Sequence, residues 1–450
     1  MNGETIAAIA TPAGRGAVAI VRTSGPEALD IGRHVFRTRA PLRPRVATRG
    51  TVIGPDGERI DEALALFFPA PNSYTGEDVL ELQVHGSPAV ARDTLLALLS
   101  AGARLATPGE FTRRAFHAGK LDLSAAEAVA DLIEAEQRST ARAAAARLSG
   151  GLASEVERLR AQLGAIHEEL AATLDFPDEV EAPSAHELEA RLAAVDAALG
   201  ELASSWERGR LLRDGVSVAI VGPPNAGKSS LLNALLGTPR ALVSETAGTT
   251  RDTIEETIAL GGGLSARIVD TAGLRVAQDA LEAAGIARSE AALAQATIVL
   301  VVIDAAQRLD AKARALLVRT RSHERLVYFN KCDLGRVGYD ARDEPERDAL
   351  LGSVLERASV EGVRAELARL AGGELVDLAR PMLGTARQAD AVLEARRALK
   401  VARQTLADGA PVDLISGDLM RAAVALGELT GRDASEALLD AIFARFCIGK

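Results

Sequence analysis

One stretch of the sequence points directly to chemistry: GPPNAGKS, from Gly222 to Ser229. It fits the pattern G-x-x-x-x-G-K-[ST], follows the apolar run VSVAIV and precedes the helix-forming run SLLNALL. Glycines in such a loop let main-chain amides surround phosphate oxygens, Lys228 supplies a compact cation, and the Ser229 hydroxyl suits Mg²⁺. The stretch therefore predicts a nucleoside triphosphate site.

Two later motifs identify the nucleotide. NKCD, from Asn330 to Asp333, ends the apolar run RLVYFN. An Asp at this point can accept hydrogen bonds from guanine N1–H and the exocyclic amine, and the unpaired carboxylate would penalise adenine by about 2 to 4 kcal/mol. The stem of Lys331 can lie over the base. DTAG ends another strand, where Asp270 suits the second shell of Mg²⁺ and the Gly273 amide suits the γ phosphate. The motifs together predict a Ras-like GTPase domain.

The residue that positions the attacking water is less clear. Many GTPases place a Gln after DxxG for this purpose, but here the position holds Leu274, which cannot polarise water. Glu282 is a candidate, although composition alone favours an exposed helix acid. In the run SETAGTT, Thr249 or Thr250 could complete Mg²⁺ coordination. The side-chain oxygen of Asn225 could hold a monovalent cation where other GTPases use an arginine finger.

The predicted GTP-binding set collects the residues of these motifs. It comprises Asn225, Ala226, Gly227, Lys228, Ser229, Ser230, Ser244, Glu245, Thr246, Ala247, Gly248, Thr249, Thr250, Asp270, Thr271, Ala272, Gly273, Asn330, Lys331 and Asp333, with Lys228 and Glu282 as catalytic residues.

Patterning along the chain predicts a multidomain α+β and α/β protein. Residues 1–118 alternate short strands and helices, as expected of a compact α+β domain. Residues 119–213 carry helical periodicity, 214–375 alternate apolar strands with helices, and 376–450 return to helix. The strand–helix alternation indicates a parallel sheet. We therefore expect a GTPase domain inserted into an α-helical domain.

Composition limits the remaining possibilities. No run of about 18 apolar residues and no signal peptide is found, so we expect a cytoplasmic protein without a membrane segment. Two cysteines are too few for a disulfide framework. The net charge of −10 argues against indiscriminate binding to polyanions. One acid-free stretch, 31–55, could nevertheless meet phosphates, although a solvated face is the favoured alternative. Its arginines are Arg33, Arg37, Arg39, Arg43, Arg45 and Arg49.

The tail RFCIGK contains Cys447 four places from the last residue. A prenylation motif is disfavoured because Lys is not a usual final residue of that signal. A thiol with a nucleophilic role and a packed or pocket-lining thiol both stay open. The preceding run ASEALLDAIFARF predicts a helix that buries Leu438, Leu439, Ile442, Phe443 and Phe446.

Over essentially its whole length the sequence resembles the tRNA modification GTPase family MnmE, also called TrmE. Besides the GTPase motifs, the resemblance rests on IAAIATPAGRGAVAIVRTSGP, PNSYTGEDVLELQVHG, PGEFTRRAFHAGKLDLSAAEAVADLIEA, LDFPDE and FCIGK. It implies an N-terminal domain that binds a tetrahydrofolate derivative and forms a homodimer, an α-helical domain and an inserted GTPase domain. It also implies that, with the FAD-dependent partner MnmG (GidA), the protein adds a carboxymethylaminomethyl or aminomethyl group to C5 of the wobble uridine of certain tRNAs.

The resemblance also assigns roles to particular residues. It implies folate contacts at Arg22, Glu81, Lys120 and Lys450. It implies a K⁺ site at Asn225, Ser244, Thr246 and Thr249, Mg²⁺ ligands at Ser229 and Thr250, and a water-positioning acid at Glu282. The late loop that contacts guanine in the family is not recognisable, and the nearest matching positions are Glu356 and Arg357.

A second hypothesis comes from a different class of protein. It is an RNA- or ribosome-binding GTPase switch with no share in covalent chemistry. The GTPase motifs do not separate the two hypotheses, whereas the folate-site residues and the tail favour the tRNA-modifying enzyme.

Overall fold

The structure is a computed structural model that describes residues 3–135, 138–176, 178–237, 256–261, 264–269, 293, 296–335, 349–372 and 380–450. The chain divides into two compact units. The first unit contains Met1–Glu134, Ala144–Ala203 and Ala386–Lys450, and the second contains Ala135–Ala143 and Ser204–Thr385. None of the helices in the described ranges combines the length and the apolar character that a membrane crossing requires.

The first unit contains a seven-stranded sheet. Its strands are β1 (Ile6–Ile9), β2 (Val18–Ser24), β3 (Phe36–Arg37), β4 (Thr48–Ile53), β5 (Arg59–Phe68), β6 (Val79–His85) and β7 (Arg104–Leu105). They lie in the order β3-β4-β5-β6-β2-β1-β7. The β1–β7 pair is parallel and the other pairs are antiparallel.

The two faces of this sheet differ because side chains alternate along a strand. On one face, α1 (Ala28–Val35) and α2 (Pro88–Ser100) cover a core that includes Val21, Leu80 and Leu82. The opposite face carries Ile6 and Ala8, which pack with Phe111 of α3 (Glu110–His117). Arg22 and Glu81 alternate with the core residues of β2 and β6, so both belong to this second face.

The remaining helices of the first unit lie on both sides of the second unit in sequence. They are α4 (Leu123–Glu134), the end of α5 (Arg138–Leu148), α6 (Gly151–Asp175), the first part of α7 (Ala185–Asp214), α11 (Ala386–Ala407), α12 (Val412–Thr430) and α13 (Glu436–Phe443). Glu127 of α4 accepts hydrogen bonds from Arg387 at 2.9 Å and Gln388 at 2.6 Å. Residues distant in sequence are thereby joined in one unit.

The apolar periodicity predicted in the first helical segment is confirmed for α6. Its buried positions are Leu152, Val156, Leu159, Leu163, Ile166 and Leu170. The predicted stripe also included Leu148 and Leu174. Gly150, with a φ of 80°, separates α6 from α5, so Leu148 belongs to a different helix, and Leu174 is 51% exposed. The pair Ser184 and Glu187 in the sequence also predicts a capping box, and the structure confirms it: the Ser184 hydroxyl lies 2.7 Å from the Glu187 carboxylate and accepts from the Glu187 amide at 3.2 Å.

Among the described residues, the second unit contains a six-stranded sheet. Its strands are β8 (Val216–Val221), β9 (Glu256–Gly261), β10 (Leu264–Val269), β11 (Ile298–Asp304), β12 (Arg325–Asn330) and β13 (Leu350–Leu351). They lie in the order β13-β12-β11-β8-β10-β9, and every pair except β9–β10 is parallel. The described helices of this unit include α8 (Lys228–Leu236), α9 (Ala311–Arg319) and α10 (Arg357–Leu370). Buried apolar clusters lie on both faces, as expected of a parallel sheet.

Candidate nucleotide-binding site

The phosphate loop joins β8 to α8, as predicted. Gly227 precedes the first helical residue with a φ of 93°. A Cβ at Gly227 would lie 2.2 Å from the side-chain nitrogen of Asn330. Both the left-handed backbone and the close approach therefore require glycine. Asn225 is also left-handed, with a φ of 62°, a conformation that Asn tolerates better than most residues.

The ammonium group of Lys228 lies inside this loop. It donates to the main-chain oxygens of Gly222 at 2.9 Å and Pro223 at 2.8 Å. Burial lowers the pKa of Lys228 from its ordinary value. A partly desolvated ammonium interacts more strongly with an anion than one in bulk water. The loop is therefore suited to phosphate, as the sequence predicts.

Asn330, the last residue of β12, connects the phosphate loop to the loop that follows β13. Its side-chain nitrogen donates to the main-chain oxygen of Ala226 at 2.9 Å. Its side-chain oxygen accepts from the main-chain amide of Val354 at 3.0 Å. Asn330 is buried, and both halves of its amide have partners. Its principal geometric role is to hold two loops together.

Lys331 links the same region to a third strand end. It has a left-handed φ of 63°. Its ammonium donates to the main-chain oxygen of Asn225 at 2.6 Å and to the carboxylate of Asp304, at the end of β11, at 2.8 Å. The side chain therefore spans from NKCD to the phosphate loop. Asp304 was not predicted from the sequence, because no motif marks it.

Asp333, the predicted guanine ligand, is exposed in the 3₁₀ turn Cys332–Leu334. The Cys332 amide donates to the main-chain oxygen of Gly352 at 3.2 Å. Residues 352–355 therefore form the loop that lies beside NKCD. Glu356 and Arg357, the positions that the sequence suggested, instead form the N-cap and first residue of α10. The two-residue strand β13 is too short to have revealed this loop from the sequence.

Part of the predicted site lies outside the described residues. This part comprises Ser244, Glu245, Thr246, Ala247, Gly248, Thr249, Thr250, Asp270, Thr271, Ala272, Gly273 and Glu282. Ser229 and Ser230, by contrast, are described in the first turn of α8 and are exposed. The structure thus brings together the phosphate loop and NKCD.

A second cluster lies in the first unit, where Arg22 and Glu81 face each other on β2 and β6. The Arg22 Nε atom is 2.8 Å from the Glu81 carboxylate, and their side chains are only 19% and 14% exposed. The guanidinium carbon lies 5.8 Å from the ring centres of both Tyr74 and Phe111. The Tyr74 hydroxyl is 2.9 Å from Thr112 Oγ1, and burial raises the pKa of Tyr74.

The tail of the chain reaches the same cluster. The Phe111 amide donates to the main-chain oxygen of Lys450 at 3.1 Å. A Cβ at Gly449 would lie 2.4 Å from the main-chain oxygen of Ile9, so the backbone is closely packed there. Cys447 is exposed, which contradicts the packed-thiol alternative; the pocket-lining thiol and the nucleophilic thiol both stay predictions.

Lys120 lies near the segment that carries Tyr74. It follows α3 and is exposed, and a Cβ at Gly76 would lie 3.5 Å from the Lys120 Cε atom. Gly76 is two residues from Tyr74. Arg22, Glu81 and Lys450 are therefore connected through Phe111, and Lys120 approaches the segment that carries Tyr74.

A buried network that the sequence did not predict supports α3 beneath this cluster. Arg114 donates to Glu77 at 3.0 Å and to Glu110 at 2.9 Å. Burial raises the pKa of Glu110, but hydrogen bonds from Arg104, the Thr107 amide and Arg114 outweigh that effect and lower the pKa to about 2. The run GEFTRR contains Glu110 and Arg114, but it does not show that they meet Arg104 and Glu77, which lie elsewhere in the sequence.

The parallel sheet, the phosphate loop and the adjoining NKCD turn define a P-loop GTPase. Family models match most of the chain: the model described as "MnmE helical domain" matches residues 123–447, and "GTP-binding protein TrmE N-terminus" matches residues 5–120. The chain belongs to the tRNA modification GTPase MnmE family.

Individual relatives match along their whole length. Proteins called tRNA modification GTPase MnmE are 45% identical in Symbiobacterium thermophilum, with all of both chains covered, and 44% identical in Chloroflexus aurantiacus, with 99% of this chain and all of the relative covered. The Moorella thermoacetica protein is 43% identical with full coverage of both. A solved structure of Aquifex aeolicus Era Y63A bound to GDP.AlF4- aligns with 41% of this chain and 66% of its own at 23% identity and a TM-score of 0.26.

Proposed function

We propose that this protein hydrolyses GTP in the modification of tRNA. With an FAD-dependent partner of the MnmG (GidA) type, it adds a carboxymethylaminomethyl or aminomethyl group to C5 of the wobble uridine of certain tRNAs. The observation that carries the proposal is the joined phosphate loop and NKCD turn, held by Asn330, in a chain that matches MnmE proteins from end to end. The proposed setting is the cytoplasm, and the proposed assembly is a homodimer.

The phosphate loop fits a nucleotide bound with Mg²⁺. The loop has no room for a side chain at Gly227, and it holds the ammonium of Lys228 among main-chain oxygens. The loop amides and Lys228 would hold the phosphates, Ser229 and Thr250 would hold Mg²⁺, and Asp333 would select guanine. Bound Mg²⁺ supplies neutralisation of the charge that develops on the phosphates.

The same proposal extends to K⁺ and to the attacking water. Asn225, Ser244, Thr246 and Thr249 would hold K⁺, and Glu282 would position the water. Asn225, in the phosphate loop, has a left-handed backbone. The other three proposed K⁺ ligands come from the run 244–250.

The cluster around Arg22 fits a folate. It offers a cation and a carboxylate that are both largely buried, with the rings of Tyr74 and Phe111 beside them. A folate carries a flat pterin ring with donors and acceptors and an acidic tail, so aromatic, carboxylate and cationic groups are the appropriate set. Glu81 and Arg22 would bind the ring, and Lys120 and Lys450 would meet anionic groups. The bound group supplies one-carbon chemistry.

The test is mass spectrometry of wobble nucleosides in tRNA from a strain that lacks the gene. We expect the C5-modified uridine to disappear, and to return with the wild-type gene and with Lys400→Ala, a control at an exposed lysine of α11. Lys228→Ala should not restore it. Unchanged wobble uridine in the deletion strain would sink the proposal and favour the GTPase switch without covalent chemistry.

A further inference from the structure

An exposed group of arginines lies at the end of β3 and on the loop that joins β3 to β4, at one edge of the first-unit sheet. We call residues 37–45 the arginine loop. Arg37, Arg39 and Arg43 are exposed, and within the described residues none of the three has a carboxylate partner. The flanking arginines differ, because Arg33 pairs with Asp30 at 2.9 Å and Arg49 pairs with Glu62 at 2.6 Å. Three cationic side chains are therefore available to a partner.

The backbone of the arginine loop is fixed by the rest of the unit. Leu42 packs against the hydrophobic core. The Arg45 amide donates to the main-chain oxygen of Phe67 at 2.8 Å, and the Arg45 guanidinium donates to that of Asn72 at 2.5 Å. At the other end, the Thr38 hydroxyl donates to the main-chain oxygen of Arg49 at 3.1 Å. A loop held in this way loses little backbone entropy on binding.

The chemistry of the loop fits the phosphate backbone of a nucleic acid. No acid and no aromatic residue occurs from Arg37 to Pro55, although the whole protein has a net charge of −10. Guanidinium groups bind phosphate with two parallel hydrogen bonds. Base recognition in RNA uses aromatic stacking surfaces, which this stretch lacks. The loop is therefore suited to contacts that position an RNA without recognising its sequence.

We infer that the arginine loop docks the sugar–phosphate backbone of the tRNA, with Arg37, Arg39 and Arg43 each meeting a phosphate. This inference rests on the proposed function, which supplies tRNA as the substrate. The inference names the surface of the protein that contacts the tRNA. This surface is far in the sequence from the GTPase motifs. The loop is a binding surface and takes no part in chemistry.

The test measures tRNA binding to the full-length protein across a series of salt concentrations, using a fluorescently labelled tRNA transcript. The test variant is R37A/R39A/R43A. The matched control is R92A/R397A/R432A, which removes three exposed arginines of the same unit, each paired with a carboxylate. We expect the test variant to bind at least tenfold more weakly, while the control stays within about twofold. The magnitude of the salt slope should fall by about 2 to 3, because each of the three lost phosphate contacts removes about 0.7 to 0.9.

GTP hydrolysis without tRNA, thermal unfolding and molecular mass in solution are measured for all three proteins, and we expect them to be unchanged. Equal tRNA affinity and equal salt slopes in the wild type and the test variant would overturn the inference and leave the proposed function intact. A change in molecular mass together with weaker binding would assign the loop to an interface between copies and would also overturn it. A wild-type protein that fails to bind tRNA would overturn both the inference and the proposed substrate.

Discussion

The side-chain nitrogen of Asn330 donates to the main-chain oxygen of Ala226 at 2.9 Å, so the end of β12 holds the phosphate loop in place. The same side chain accepts from Val354 at 3.0 Å. Three segments that are far apart in the sequence thus share one buried amide. The position of the phosphate loop therefore depends on a hydrogen bond from NKCD as well as on the glycines of the loop itself.

Asn330→Ala tests that support. The substitution leaves the Ala226 oxygen and the Val354 amide without their partner, and we expect the free energy of unfolding to fall by about 1 to 3 kcal/mol. GTP affinity should fall as well. Urea denaturation and titration with a fluorescent GTP analogue measure the two effects. Asn233→Ala, at an exposed position of α8, should stay within about 0.5 kcal/mol of wild type. Wild-type stability of the Asn330 variant would contradict the supporting role.

Asp333→Asn tests the origin of guanine selectivity. The amide no longer accepts both hydrogen bonds from guanine, and a loss of about 2 to 4 kcal/mol lowers the ratio of GTP to ATP affinity by roughly 30- to 900-fold. Competition titrations with GTP and ATP measure the ratio. Affinity for ATP serves as the internal control, since the phosphate contacts are untouched. An unchanged ratio would refute the assignment of the base site.

Arg22→Ala tests the proposed folate site. We expect the affinity for a reduced folate to fall at least tenfold, because Glu81 is left as a largely buried carboxylate without its cation. Arg22→Lys should recover only part of the loss, since a lysine lacks the planar guanidinium that lies beside Tyr74 and Phe111. Isothermal titration calorimetry compares these with Arg59→Ala, an exposed control on β5. Wild-type affinity in the alanine variant would rule out the proposed folate site.

Glu110→Gln tests the network beneath α3 through its pH dependence. The folded-state pKa of Glu110 is lowered to about 2 from 4.5. Its ionised form therefore stabilises the fold fully above about pH 4.5, and that contribution is lost as the pH falls toward 2. We expect the variant to be about 1 to 3 kcal/mol less stable at pH 7, with the difference shrinking below pH 4.5. Chemical denaturation at pH 7, 4 and 3 measures it.

The control for that experiment is Glu436→Gln, at a carboxylate whose side chain is 72% exposed. We expect this change to alter stability by less than about 1 kcal/mol at every pH. A stability difference for Glu110→Gln that stays constant down to pH 3 would show that ionisation of Glu110 does not stabilise the fold.

Potassium dependence tests the proposed cation site. We expect hydrolysis to be at least tenfold faster in K⁺ than in Na⁺ at equal ionic strength, which corresponds to about 1.4 kcal/mol in the barrier. Asn225→Ala should remove the difference, because it deletes one proposed oxygen ligand. Rates measured by phosphate release decide the matter. Equal rates in the two salts would eliminate the K⁺ site.

Elements with a strong apolar pattern can be predicted from the sequence. Short or edge strands, and residues whose role depends on a contact with a distant segment, cannot. The apolar runs of β8, β10, β11 and β12 predict the parallel core of the second unit, and the structure confirms it. The antiparallel edge strand β9 and the two-residue strand β13 lack such a pattern. Likewise, NKCD predicts a base site, but the partners Asp304 and Val354 lie in segments without a motif. The domain boundaries at 118, 213 and 375 stay predictions.

The packing of α4 has a consequence for the growing chain. Leu123 and Ala126 are buried against Leu439, Phe443 and Phe446, and the whole second unit is translated before those partners exist. At roughly 5 to 20 residues per second, the ribosome needs roughly 15 to 60 s to pass from Leu123 to Phe443. During that interval the apolar side of α4 lacks its native cover. A premature stop upstream of Glu436 would make this state permanent, so truncated products should be especially prone to aggregation or degradation.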